Sequence, residues 1–118
     1  MRGEPVEGQL LLLAAAKASV GPARLSELVD RVQAELDEEL DTYRGRFERI
    51  HAADEREVFL ADEDHWETVG DRLEFSERET DAVRRAHREQ LLRIGRQEDR
   101  EPEFEAALDI RDPVAIGV

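Results

Sequence analysis

From Leu25 to Ile50 the chain places an apolar residue every three or four positions: Leu25, Val29, Val32, Leu36, Leu40, Tyr43, Phe47 and Ile50. That spacing is the period of an α-helix, so these side chains share one face and form a stripe that must be covered. Glu35, Asp37, Glu38, Glu39 and Asp41 fill the other faces, which are therefore solvated. From Leu36 onward the steps run four, three, four, three, as in a heptad seam. The first helix and the one opened at Ser76 can cover most of the stripe 25–50, and whatever they leave open is a surface on which a protein partner or a second copy of the chain can dock. Gly45 lowers helix propensity, and Phe47 to Ile50 can also be read as the opening of a strand.

The flanking segments carry punctuation of their own. Val6 to Val20 is Leu- and Ala-rich and predicts a short helix, closed by Gly21 with Pro22 starting the next one. Val58-Phe59-Leu60, set among charges, predicts a hairpin with Phe47 to Ile50, and residues 51–55 form its loop. Asp62-Glu63-Asp64 precedes a helix over about 64–73, since acids suit a helix start. Ser76 with Glu79 forms a capping box that opens a helix over 77–94, with Gly95 expected as its left-handed cap. Phe104, Ala107, Leu108 and Ile110 make a short amphipathic piece, and residues 113–118 read as a third strand or a frayed tail. The expected fold is α+β, predominantly α: about four helices, a small central β-hairpin and a C-terminal segment able to join it. The whole chain, 1–118, reads as one domain, with looser segments at 1–5 and 97–103.

The charge balance narrows the class further. Thirty acidic residues against 17 basic ones give a net charge of −13, and Lys17 is the only lysine. This composition resembles cytosolic proteins of extreme halophiles, in particular their small conserved acidic proteins of unknown function. The resemblance implies a salt-adapted surface. A compact chain so charged repels itself, but at 1 M salt the Debye length is only ~3 Å and exposed carboxylates are screened from one another. Cysteine is absent, which excludes disulfides and thiolate chemistry. Leu10 to Ala16 is too short to span a membrane and lacks the basic flank of a signal peptide. A soluble, cytoplasmic protein is expected.

Val69-Gly70-Asp71-Arg72-Leu73, followed by Glu74-Phe75-Ser76 and Glu77 to Thr80, resembles the helix-turn-helix segments of bacterial and archaeal transcription regulators. It departs from them at Glu74, where such turns usually carry glycine. The resemblance implies that Glu77, Arg78, Thr80, Asp81 and Arg84 face a DNA groove. Six arginines between Ser76 and Arg96 make the segment locally basic. At 100° per residue Arg78, Arg85 and Arg96 nearly align, with Arg88 close by, opposite Val83, Ala86, Gln90 and Ile94. Arg78, Arg84, Arg85 and Arg88 are therefore the candidate contact residues for nucleic acid or another partner. The competing expectation is that they pair with neighbouring acids.

No catalytic residue, cofactor or metal ligand is assigned. His51, His65 and His87 lack the i, i+4 spacing of a helical metal site; His51 belongs to the expected loop and His87 to the edge of the core, with one hydrogen bond. No phosphate loop or nucleophile motif occurs, so an enzyme is not expected. Two functions remain: a non-enzymatic interaction or scaffold module, and a nucleic-acid-binding regulator using the helix 77–94.

Overall fold

In the computed structural model, which describes residues 3–118, the long apolar stripe is divided among three elements. Helix α2 (Pro22–Asp37) carries Leu25 to Leu36, helix α3 (Leu40–Arg46) carries Leu40 and Tyr43, and strand β1 (Glu48–Ala52) carries Ile50. The break lies where Glu35, Asp37, Glu38 and Glu39 crowd the negative end of the α2 dipole, with no basic residue in that last turn. Once restarted, α3 has Asp41 in its first turn and Arg44 and Arg46 in its last, the favourable order. The heptad seam through Gly45 is therefore not continuous. Nor is the stripe free to dock a partner: Leu25, Val29, Val32 and Leu36 are buried against the chain's own core, as are Tyr43 and Ile50.

The remaining elements are α1 (Gly8–Ala18), β2 (Arg56–Ala61), α4 (His65–Arg72), α5 (Glu77–Gln97), α6 (Glu101–Leu108) and β3 (Asp112–Gly117). The fold is mixed α+β and mostly helical, with six helices among the described residues rather than four. The split of the second helix supplies one of the extra helices. The other is α6, which starts with Pro102 in its first turn, where a missing N–H costs nothing. Residues 97–103, expected to be loose, comprise the end of α5, a turn and the start of α6. Of residues 1–5, the first two lie outside the described residues, and Gly3 N–H donates to the Val118 carbonyl (2.8 Å).

The hairpin forms, but its loop is 53–55, and His51 sits on β1 rather than in the loop. The C-terminal segment is ordered as β3, and the antiparallel sheet has the order β1-β2-β3 with β2 central. Its two faces alternate along each strand. Phe59, Ala61, Val114 and Ile116 join a cluster with α1, α2, α4 and the first half of α5. Val58, Leu60 and Ala115 join Leu91 and Ile94 of α5 and Phe104 and Leu108 of α6 in a second cluster. One helix thus serves both faces.

Gly95 does not cap that helix. It remains helical, and the left-handed residue after α5 is Asp99 (φ 56°). Gly95 matters for a different reason: a Cβ there would stand 3.1 Å from Glu101 Cα and from the Phe104 ring, so its absence lets α6 cross closely.

Among the described residues the outer edge of β3 has no neighbouring strand, and side chains satisfy it instead. Trp66 Nε1–H donates to the Pro113 carbonyl (3.2 Å), and Ala115 N–H donates to His87 Nδ1 (2.9 Å). Gly117 N–H donates to Gln33 Oε1 (2.8 Å) while Gln33 Nε2 donates to the Gly117 carbonyl (3.1 Å). Pro113 is tolerated because an edge strand can lack one outward N–H. The open edge is therefore closed against strand addition by α2, α4 and α5.

Candidate functional site

Helices α4 and α5 meet at a tight turn, in the segment where a helix-turn-helix was expected. Ser76 caps α5 reciprocally with Glu79: Glu79 N–H donates to Ser76 Oγ (3.1 Å), and Ser76 N–H donates to Glu79 Oε1 (2.9 Å). Glu74 has φ 60°, the left-handed conformation that glycine would adopt without cost. Replacing Glu74 by Gly relieves that strain and loosens the unfolded chain, for an expected net gain of about 0.5–1 kcal/mol in urea unfolding. An unchanged or lower stability would show that the Glu74 side chain compensates for its backbone. Gly70 allows the close approach of the two helices, since a Cβ there would overlap Thr80 Oγ1. Arg31 of α2 holds the turn from the side, donating to the Leu73 carbonyl (3.1 Å) with its guanidinium 5.0 Å from the Phe75 ring centre.

The residues assigned to a DNA groove meet different fates. Thr80 is half-buried against Gly70. Glu77, Asp81 and Arg84 line a cleft of about 430 Å³ together with Glu63, Glu67 and Asp71, so five carboxylates face one guanidinium. Arg84 is itself committed, its Nε 3.0 Å from Asp112 Oδ1. Arg85 pairs with Asp81 one turn earlier (2.9 Å), Arg93 with Glu7 (3.2 Å) and Arg96 with Glu101 (3.8 Å). Arg88 reaches the Leu108 carbonyl (3.5 Å). Among the described residues, Arg78 and Arg88 have no carboxylate partner. The side opposite the arginines is packed as the spacing predicts, with Val83, Ala86, Gln90 and Ile94 buried.

A second cavity, of about 200 Å³, opens between α3 and α4 over a buried polar pair. Tyr43 Oη and His65 Nε2 lie 2.7 Å apart, and His65 Nδ1 is buried without a partner. Burial, helped by the nearby Arg72 charge, lowers the His65 pKa to about 4, and burial raises that of Tyr43 to about 12. Both groups are therefore neutral around pH 7. Trp66 lies between this pair and His87, with ring centroids 4.6 Å from His65 and 4.5 Å from His87. His87 is fully buried and not at the core edge; burial, with His65 nearby, lowers its pKa to about 3. Its one hydrogen bond is the one expected of it, and since Nδ1 accepts from Ala115, Nε2 carries the proton. Sequence spacing did not pair Tyr43 with His65, because 22 residues and two strands separate them.

Among the described residues no group of three or more histidines and carboxylates is placed to hold a metal ion. No helix among them is long and apolar enough to cross a membrane. No curated protein and no solved structure matches the chain. A family model does match, over residues 4–118, nearly the whole length. The chain belongs to the family described as domain of unknown function DUF8048.

Proposed function

We propose that the protein is a non-enzymatic interaction module of a salt-adapted cell, working in the cytoplasm and self-associating through α1. One observation carries this reading. Helix α1 contains no acid, and it exposes Leu12 (60 % accessible) and Leu13 (41 %) beside Ala16. Two chains of charge −13 repel, and contacts between acid-bearing faces would set carboxylate against carboxylate. The outer face of α1 escapes that cost and presents apolar surface to its own copy. Docking thus shifts from the stripe 25–50, which is internal, to the outer face of α1. The neutrality of Tyr43 and His65 around pH 7 also favours a structural role over proton transfer.

Sedimentation velocity in about 1 M KCl, where repulsion is screened, tests this directly. The wild type is expected to be dimeric and the Leu12→Glu/Leu13→Glu variant monomeric. A wild-type monomer, or a variant that still dimerises, overturns the proposal.

The regulator reading retains support from Arg78 and Arg88, which have no acidic partner among the described residues. It predicts duplex DNA binding in low salt that Arg78→Ala/Arg88→Ala abolishes. The carboxylate-lined cleft beside that helix weighs against it.

A further inference from the structure

The cleft between α4 and α5 continues into a neighbouring cavity of about 510 Å³, since Glu63, Glu67 and Arg84 line both. Asp64, Asp109, Arg111 and Asp112, the first residue of β3, also line that neighbouring cavity, so acids outnumber arginines there. Asp112 has a side chain only 2 % accessible, and only one of its oxygens is used. Oδ1 accepts from Arg84 Nε, while Oδ2 is buried with no hydrogen-bond partner among the described residues. A buried carboxylate oxygen left bare is costly, and a carboxylate has room for a further donor in a bidentate pair. Arg84 is 45 % accessible, so the group covering Asp112 borders solvent.

We propose that this trough binds an arginine- or lysine-rich segment of a partner protein, with Asp112 receiving one cationic side chain. Glu63, Glu67, Asp71, Glu77 and Asp81 supply complementary charge along its length. Trp66, Phe75 and Leu108 contribute apolar wall between the charges, which suits a peptide chain better than a bare polyamine. The same charge excludes nucleic acid from this face. The trough is separate from the outer face of α1 and independent of self-association.

The test uses the full chain and a fluorescein-labelled octapeptide of alternating arginine and alanine, followed by anisotropy. Glu63→Gln/Glu67→Gln removes two exposed charges from the trough. Asp54→Asn/Glu55→Gln removes two from the hairpin loop, at the far end of β2 from Asp112. The trough variant is expected to weaken binding about tenfold or more and the loop variant less than about twofold. At about 1 M KCl exposed attraction is screened, and the binding that remains is expected to fall further in Asp112→Asn. Backbone amide shifts on peptide addition are expected at Glu63, Glu67 and Asp112. Equal losses in the two double variants, no binding at low salt, or shifts confined to other surfaces would overturn the proposal. So would spermine binding as tightly as the peptide with the same sensitivity to Asp112.

Discussion

Acidification from pH 7 to pH 4 is expected to remove most of the stability of this protein, and His87→Gln to remove a measurable share of that sensitivity. The folded chain holds His65 near pKa 4 and His87 near pKa 3, both below the unfolded value of 6.5. Between pH 6.5 and 4 the unfolded chain therefore takes up two protons that the folded chain refuses. Stability from these groups is complete above pH 6.5 and is lost as pH falls through that window. Each refused proton costs ~1.4 kcal/mol per pH unit, so the pair accounts for several kcal/mol by pH 4, comparable to a typical domain stability of ~5–15 kcal/mol. Relief of the −13 charge repulsion acts in the opposite direction, so the measurement belongs in about 1 M KCl. Glutamine at position 87 offers an oxygen to Ala115 N–H and does not titrate. Urea midpoints across the pH range should show its slope reduced by about one proton. Identical slopes for the two proteins would mean that His87 does not resist protonation in the fold.

The second large effect is expected at Trp66. The residue is 2 % accessible, its ring contacts both buried histidines, and its Nε1–H is the donor that holds the Pro113 carbonyl. Trp66→Ala leaves a cavity and an unsatisfied carbonyl, and is expected to cost about 3–5 kcal/mol. Trp66→Phe keeps most of the ring and loses mainly the hydrogen bond, about 1–2 kcal/mol. Far-UV circular dichroism is the readout, because Trp66 is the only tryptophan. Amide exchange at Ala115 should accelerate in both variants, since the β3 edge is anchored there. A loss below about 1 kcal/mol in Trp66→Ala would show that α4 is not what secures this edge.

Local signals located most elements. The capping box at Ser76 and Glu79 opens α5 where the side chains predict it, because the two hydrogen bonds involve groups three residues apart. Val58-Phe59-Leu60 is the middle of β2, and the β-branched residues Val114 and Ile116 lie on β3. The break in the stripe left only one trace, the four acids gathered at a helix C-terminus. Periodicity concealed it because Tyr43 continues the same spacing on a separate helix. Gly95 misled for a related reason: glycine serves both left-handed caps and close helix contacts, and only the position of α6 distinguishes them.

The candidate sites were much less legible. The arginines of α5 are exposed or half-exposed as their spacing predicts, but what they face is set by Asp112, Glu7 and Glu101, supplied from other elements. Asp112 gave one hint: an acid at the head of an apolar, β-branched run must be buried with a partner or stop the strand. The Tyr43–His65 pair gave none.

The apolar stripe with which the chain announces itself was settled by sequence only as a face to be covered. Its period follows from local backbone geometry, which neighbouring residues determine among themselves. What covers it was decided by tertiary structure, because packing joins residues tens of positions apart at no cost visible in the local pattern. The chain's own sheet and helices bury that stripe, and the surfaces proposed for partners are an acid-free helix and an acid-lined trough.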